Sequence, residues 1–133
     1  MLGIRRRNAF EGQAAMELEF AIVGDGPAYV VGEQAGDWEP IVRGILEDLG
    51  KGVPAGMIAG RFHSSMVELI MVAAREAGLH MVALSGGCFQ NRSLTEIAIR
   101  RLGEEGFEPL WHRFVPPNDG GLAIGQAVVA GCR

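Results

Sequence analysis

Apolar residues recur at helical spacing in several segments of this chain, and turn-forming residues stand between the segments. The Ala, Met, Leu and Glu residues of 9–20 predict a first helix, since all four are strong helix formers. Asp37 predicts the N-cap of a second helix that Gly50 closes. A third helix is predicted from Pro54 to an end at Gly78, and its apolar residues leave so little polar face that we expect it to be buried on most sides.

Two short apolar runs predict a small sheet. The run 80–84 ends at a pair of glycines, and the run 109–112 follows an amphipathic helix predicted over 92–105. The order strand, turn, helix, strand favours parallel pairing. Short apolar runs on both sides of Gly24-Asp25-Gly26-Pro27 predict a hairpin. A last helix, predicted over 120–130, is rich in Gly and Ala, which indicates close packing against another element.

Composition and charge narrow the classes of protein and partner. The 133 residues, 48% hydrophobic and 21% charged, are typical of one globular domain over 1–133. The net charge of −4 argues against nucleic-acid binding, and the basic run Arg5-Arg6-Arg7 is either an anion contact or a solvated loop.

The longest apolar stretch, 69–74, is too short to span a membrane. Cys88 and Cys132 fit no metal-ligand spacing, and two free thiols suit a reducing cytoplasm.

The strand-to-helix turn from Ser85 to Asn91 is a candidate nucleotide site. Gly86 and Gly87 leave backbone N–H groups unobstructed by side chains at the start of a helix, where partial positive charge suits a phosphate or a ribose–purine edge. The Asn91 amide can cap the helix or bond a ligand hydroxyl. The alternative is that the glycines serve tight packing only.

Two other segments carry polar groups at places where a ligand could bind. Asp119 follows Pro116-Pro117-Asn118 and precedes two glycines, so its carboxylate is either the N-cap of the last helix or a ligand for a divalent cation. In the first helix, Glu11, Gln13 and Glu17 could bond a ribose or a carbamoyl group, or form a solvated acidic face.

The three histidines show no metal-ligand spacing, and each is predicted to be structural. His63 is singled out only because it joins a loop to a buried helix.

These segments together resemble the C-terminal end of the hydrogenase maturation carbamoyltransferases, the HypF family. The resemblance covers most of the chain, in the order of that family, and it is carried by the segments Glu11–Glu19, Arg61–His63, Ala83–Arg92 and Pro116–Ala127. A more distant similarity extends to the threonylcarbamoyl transferases of tRNA modification. Both groups belong to the sugar kinase/actin-like superfamily. The resemblance therefore implies an α/β fold: a partial actin-like (ribonuclease H-like) lobe, mostly helical with a small sheet.

The resemblance also implies a reaction and a partner. Full members of the family turn carbamoyl phosphate into carbamoyl-adenylate in one domain. Their actin-like domain then transfers the carbamoyl group to the C-terminal cysteine of a HypE-type maturation protein. The thiocarboxamide formed there becomes the cyanide ligand of nickel–iron hydrogenase. We accordingly expect ATP or carbamoyl-adenylate with Mg as the ligand.

By the same resemblance, Gly86, Gly87 and Asn91 contact the adenylate, and Glu17 lines the ribose side. Asp119 matches the aspartate that binds the active-site metal, Fe or Zn, in a complete site.

The chain also departs from the family pattern. The family holds its metal with two histidines of the first lobe as well, and no His-x-x-x-His occurs here. One carboxylate does not hold a catalytic metal by itself. We therefore expect a fragment or one subunit of a split enzyme, inactive alone and associated with the missing N-terminal lobe or with copies of itself. Apolar surface near Met66–Val72 and on the last helix would favour such association. The alternative is a non-catalytic interaction module.

Overall fold

The computed structural model describes residues 2–24, 26–32, 34 and 36–132. These residues form five helices and two strands, and the chain divides into two compact units, 1–78 and 79–133. The first unit contains three helices: α1 (Gln13–Phe20), α2 (Glu39–Gly50) and α3 (Ala55–Ala77). The second unit contains, in chain order, β1 (Met81–Leu84), α4 (Arg92–Glu104), β2 (Glu108–Trp111) and α5 (Leu122–Gly131). This is the mostly helical α/β fold with a small sheet that the sequence predicts, whereas the single domain over 1–133 stays a prediction.

The core of the first unit lies where α2 and α3 meet the segment around Tyr29, which lies between α1 and α2 in the sequence. Tyr29, Ile41, Ile45 and Ile58 are buried together there. Ile41 and Ile45 are one helical turn apart on α2, so both side chains lie on the same face of the helix.

A buried polar group lies at the edge of this core. The Tyr29 hydroxyl donates a hydrogen bond of 2.7 Å to Asp48 Oδ2, and Arg61 donates to the same oxygen at 2.5 Å. The Arg61 guanidinium also lies 4.2 Å from the centroid of the Tyr29 ring. The charge of Asp48 is therefore paired, as a buried carboxylate requires.

The predicted hairpin is wrong. Among the described residues of 21–31 there is no strand, and Asp25 lies outside the described residues. The segment uses its polar backbone atoms on α3 instead: Val23 N–H donates to the Gly56 carbonyl, and Tyr29 N–H donates to Ser65 Oγ. Gly60 permits this approach, because a Cβ there would lie 2.6 Å from the carbonyl oxygen of Gly24.

The end of α3 agrees with the sequence, whereas both ends of α2 differ from it: the N-cap of α2 is Trp38 rather than Asp37, and it makes no side-chain capping hydrogen bond. Asp37 Oδ1 accepts a hydrogen bond from the N–H of Glu39 at the start of α2. Gly50, however, is the last residue of α2, and the left-handed glycine beyond it is Gly52, with a φ of 71°. α3 ends as predicted at Gly78, whose φ of 64° is the left-handed conformation that glycine favours.

The helix α3 is long and apolar enough to cross a membrane by length and composition alone, the one such helix among the described residues. The prediction from the sequence rested on the longest uninterrupted apolar run, 69–74, and so it did not identify α3 as a helix of this length and composition. Half of the apolar window of α3 is buried, and core helices of soluble proteins meet the same criteria. Met66–Val72 is buried or half-buried rather than exposed, so the prediction of an apolar surface there is wrong.

In the second unit, β1 and β2 pair in parallel, with Met81 opposite Glu108 and Leu84 opposite Trp111. The parallel pairing predicted from the order of elements is confirmed. The intervening helix α4 packs against β2 and has Leu94, Ala98 and Leu102 on its buried face.

The last helix, α5, follows a 3₁₀ turn over Asp119–Gly121 and is exposed along its length. Its exposed large apolar side chains are Leu122, Ile124, Val128 and Val129. The predicted apolar surface on this helix is therefore confirmed, whereas the close packing predicted from its Gly and Ala content is not found within the described residues.

Candidate functional site

The two glycine-rich segments of the second unit are joined directly by a backbone hydrogen bond. Gly86 N–H donates to the carbonyl oxygen of Pro117, with the nitrogen and oxygen 2.8 Å apart. Gly86 follows the end of β1 and has a φ of 105° and a ψ of 164°, a backbone conformation that is essentially restricted to glycine. The turn after β1 and the loop before α5 therefore form one structure, although about 30 residues separate them in the sequence.

A cleft of about 860 Å³ lies at this junction. Its walls come from the end of β1, the residue after β2, the proline-containing loop and one face of α5. The lining residues are Ser85, Gly86, His112, Pro116, Pro117, Asn118, Asp119, Gly121, Leu122, Gly125, Gln126, Val129 and Ala130. Ligand sites are typically clefts of this size with mostly apolar walls and a few polar groups.

Asp119 lines the cleft and does not cap the helix. Asn118 caps the 3₁₀ turn over Asp119–Gly121, since its Oδ1 accepts a hydrogen bond of 3.1 Å from the N–H of Gly120, and the N-cap of α5 itself is Gly121. The prediction of Asp119 as the N-cap of the last helix is therefore wrong. Within the described part of the chain, the exposed Asp119 carboxylate has no hydrogen bond or ion pair, so it is available to a ligand.

A complete metal site does not fit the residues that the structure describes. No group of three or more His, Cys, Asp or Glu side chains among them could hold a metal ion. Asp119 would supply one ligand of a tetrahedral or octahedral site, and the remaining ligands would have to come from elsewhere. The role of Asp119 toward a metal stays a prediction.

Gly87 and Asn91 lie in the same turn as Gly86 but do not line the cleft. Asn91 Oδ1 accepts a hydrogen bond of 2.8 Å from Leu94 N–H, so this side chain caps α4, one of the two roles foreseen for it. Within the described chain the N–H groups of Gly87 and Cys88, which begin a 3₁₀ turn over Gly87–Gln90, have no acceptor. Contact of Gly87 and Asn91 with an adenylate stays a prediction.

Glu17 lies in the first unit, on α1, where its carboxylate is already paired. Arg5 donates to both of its oxygens, and Gln13 Nε2 donates to Oε1 at 3.1 Å. The hydrogen bond from Arg5 holds the pKa of Glu17 below its ordinary value. A ribose contact at Glu17, which stays a prediction, would have to share or displace Arg5.

A family model described as "Carbamoyltransferase, Kae1-like Domain, second subdomain" matches residues 1–126. This chain belongs to the HypF carbamoyltransferase family.

Relatives and solved structures agree with this assignment. The chain is 40% identical to the carbamoyltransferase HypF of Synechocystis over 95% of its own length, and 38% identical to that of Rhizobium leguminosarum over 96%. It spans only 17% and 18% of those two relatives. A crystal structure of full-length HypF in a phosphate- and nucleotide-bound form superimposes with a TM-score of 0.80 at 40% identity, over 97% of this chain and 22% of that one. HypF of T. kodakarensis superimposes with a TM-score of 0.75 at 31% identity, over 98% and 18%.

Within this HypF-family chain, the sequence points to the turn that begins at Ser85 but misses His112 and its pairing with that serine. Ser85 Oγ and His112 Nε2 lie 3.0 Å apart, and both residues line the cleft. His112 was predicted to be structural. The signal that could have found it is its position directly after β2, because the carboxyl ends of parallel strands meet at one edge of a sheet, where ligands bind.

His63 shows the opposite outcome. Its ring is buried, and Nδ1 lies 2.8 Å from the carbonyl oxygen of Ala59, one turn earlier in α3. This contact is what a structural histidine makes, as the sequence predicts.

Proposed function

We propose that this chain is the nucleotide-binding portion of a carbamoyltransferase that carbamoylates the cysteine of a HypE-type partner in nickel–iron hydrogenase maturation. The observation that supports this proposal most directly is the cleft that brings Gly86 and Asp119 together. The chain is also 40% identical to a HypF whose solved structure is described as phosphate- and nucleotide-bound. The ligand proposed for the cleft is ATP or carbamoyl-adenylate with Mg.

The residues of the cleft suit such a ligand by their chemistry. Gly86 places bare backbone at the wall, so a ligand can approach without meeting a side chain. Leu122 and Val129 offer apolar surface to a purine ring, while Asp119 and Gln126 offer polar atoms to hydroxyl groups or to a hydrated cation. Fe or Zn would bind only in a complete site that includes residues outside this chain.

We propose that the chain is inactive alone. A carbamoyl transfer needs the second wall of the cleft and a source of carbamoyl-adenylate, and the chain spans about a fifth or less of the two relatives described above. Its activity would then require the missing N-terminal lobe, supplied in the same polypeptide or as a separate subunit. The two exposed free thiols, Cys88 and Cys132, are compatible with a reducing cytoplasm, which is the proposed location.

The experiment is a calorimetric titration of the 133-residue chain with AMP and with ATP plus Mg, repeated after adding the first lobe of a HypF relative in trans. We expect binding that Asp119→Asn weakens in the presence of Mg. The matched control is Glu96→Gln, which removes an exposed carboxylate of the same unit that pairs with Arg92 away from the cleft. Absence of nucleotide binding even with the added lobe would overturn the proposal.

One observation favours a second candidate, a non-catalytic interaction module. The exposed apolar side chains of α5 suit a protein partner or a second copy of the chain. Under this alternative, the chain self-associates through α5 and binds no nucleotide in either arm of the titration.

A further inference from the structure

We propose that His112, held by Ser85, recognises the phosphoryl group of the nucleotide in the cleft. This inference rests on the proposed function, and it adds a residue and a specificity to it: preference for a nucleotide that carries a 5′-phosphate over the nucleoside. Its starting point is the 3.0 Å separation of Ser85 Oγ and His112 Nε2 at the cleft wall.

The charges in the cleft single out His112. Asp119 puts a negative charge on the wall, which repels a phosphate. Among the described residues that line the cleft, His112 is the only one whose side chain can carry a positive charge. The neighbouring Arg113 does not line the cleft, and its guanidinium lies over the Trp111 ring, 4.4 Å from the centroid. A phosphate that enters the cleft therefore has one side chain of this unit to pair with.

The pairing with Ser85 leaves hydrogen-bonding capacity for a ligand. An imidazolium at His112 donates one hydrogen bond from Nε2 to Ser85 Oγ, which holds the ring in place. The second ring N–H, at Nδ1, is also a donor, and the described chain shows no further partner for either side chain. Both residues are exposed, so a ligand can reach them. Hydrogen bonds between an ionised donor and a phosphate are stronger than those between neutral groups.

Ser85 has the role of a positioning residue in this arrangement. It follows β1 directly, and His112 follows β2, which pairs with β1 in parallel, so the sheet places the two side chains next to each other. Without the serine, the imidazole would lose the partner that restricts its rotation. Ser85→Ala should therefore weaken phosphate recognition less than His112→Gln does.

The experiment measures binding of AMP and of adenosine to the full 133-residue chain, with the first lobe of a relative added if the chain alone binds weakly. We expect the wild type to bind AMP about tenfold more tightly than adenosine, the size of one charge-assisted hydrogen bond. His112→Gln should weaken AMP binding about tenfold and so abolish that preference. Ser85→Ala should reduce the preference partially, and the double variant should equal His112→Gln.

His80→Gln is the matched control, since His80 is also an exposed histidine of the second unit but lies outside the cleft. It should keep the full AMP preference. If the wild type binds AMP and His112→Gln retains the preference, this inference is overturned while the proposed function stands. If neither AMP nor adenosine binds with the first lobe present, the proposed function fails and this inference fails with it. His112→Asn provides a second substitution in case the glutamine variant is poorly folded.

Discussion

The backbone N–H of Gly86 donates to the carbonyl oxygen of Pro117, and this hydrogen bond connects the end of β1 to the loop before α5. Both residues line the cleft. The bond therefore determines the relative position of the two walls that the proposed nucleotide would contact, and it depends on a backbone conformation that glycine adopts and other residues avoid.

The first prediction concerns that conformation. Gly86→Ala should lower the free energy of unfolding by about 1–3 kcal/mol, because a Cβ is strained at a φ of 105°. Gly87→Ala, one position later, has no positive φ and only Gln90 Nε2 at 3.8 Å from the added Cβ, so it should change stability by less than about 0.5 kcal/mol. Urea denaturation of the two variants measures the difference. Equal losses would show that the turn can relax around either side chain.

The second prediction separates the cap from the ligand group at the start of the last helical segment. Asn118→Ala should cost about 1 kcal/mol of stability, because it removes the acceptor of Gly120 N–H. Asp119→Ala should leave stability nearly unchanged, since its carboxylate has no partner in the described chain. Thermal unfolding compares the two. A larger loss of stability for Asp119→Ala than for Asn118→Ala would show that Asp119 is the capping residue.

The third prediction is a pH dependence from Tyr29. Burial, together with the hydrogen bond to Asp48, raises the pKa of this phenol to about 12, from an unfolded value of about 10. The fold therefore favours the protonated phenol, so its contribution to stability is full below about pH 10 and is lost as the pH rises toward 12. Tyr29→Phe should flatten the stability curve in that window, at a cost of about 1–2 kcal/mol at neutral pH.

Tyr29 is the only tyrosine of the chain, so the alkaline change in phenol absorbance reports on this residue alone. Its midpoint in the folded protein should lie well above that in urea. Coinciding midpoints would show that the hydroxyl is not held by Asp48 in solution.

The fourth prediction concerns the ion pair of Arg5 and Glu17. Arg5 lowers the pKa of Glu17, so the fold favours the charged carboxylate. The resulting stabilisation is present above the ordinary pKa of glutamate and is lost as the pH falls through the lowered value. Glu17→Gln and Arg5→Gln should each reduce the acid sensitivity of the melting temperature, and the double variant should resemble either one. High salt should shrink the effect, because exposed pairs are screened.

The fifth prediction concerns the apolar surface of α5. Ile124 and Val128 are exposed and lie outside the cleft lining, so Ile124→Glu with Val128→Glu should reduce self-association without weakening AMP binding. Leu79→Glu is the control, since Leu79 is an exposed apolar residue of the same unit outside α5. Light scattering across a dilution series measures the mass. A wild-type monomer at every concentration would contradict self-association through this helix.

The elements that the sequence predicts correctly are those determined by neighbouring residues. The end of α3 at Gly78 follows from glycine conformation, and the strands on either side of α4 follow from short apolar runs. The hairpin around residues 24–27 was wrong for a physical reason. Its backbone donors bond to α3, and a pattern of short apolar runs does not show which acceptor a donor will find.

The features of the candidate site also divide into those that the sequence predicts and those that depend on the tertiary structure. Gly86 and Asp119 can be chosen from the sequence because their residue types and local contexts suit a ligand. That the two line one cleft, and that His112 joins them through Ser85, was decided by the tertiary structure. The parallel pairing of β1 with β2 and the hydrogen bond from Gly86 to Pro117 join residues about 30 positions apart. Local propensity acts over a few residues, whereas contacts at such separations depend on how whole elements pack.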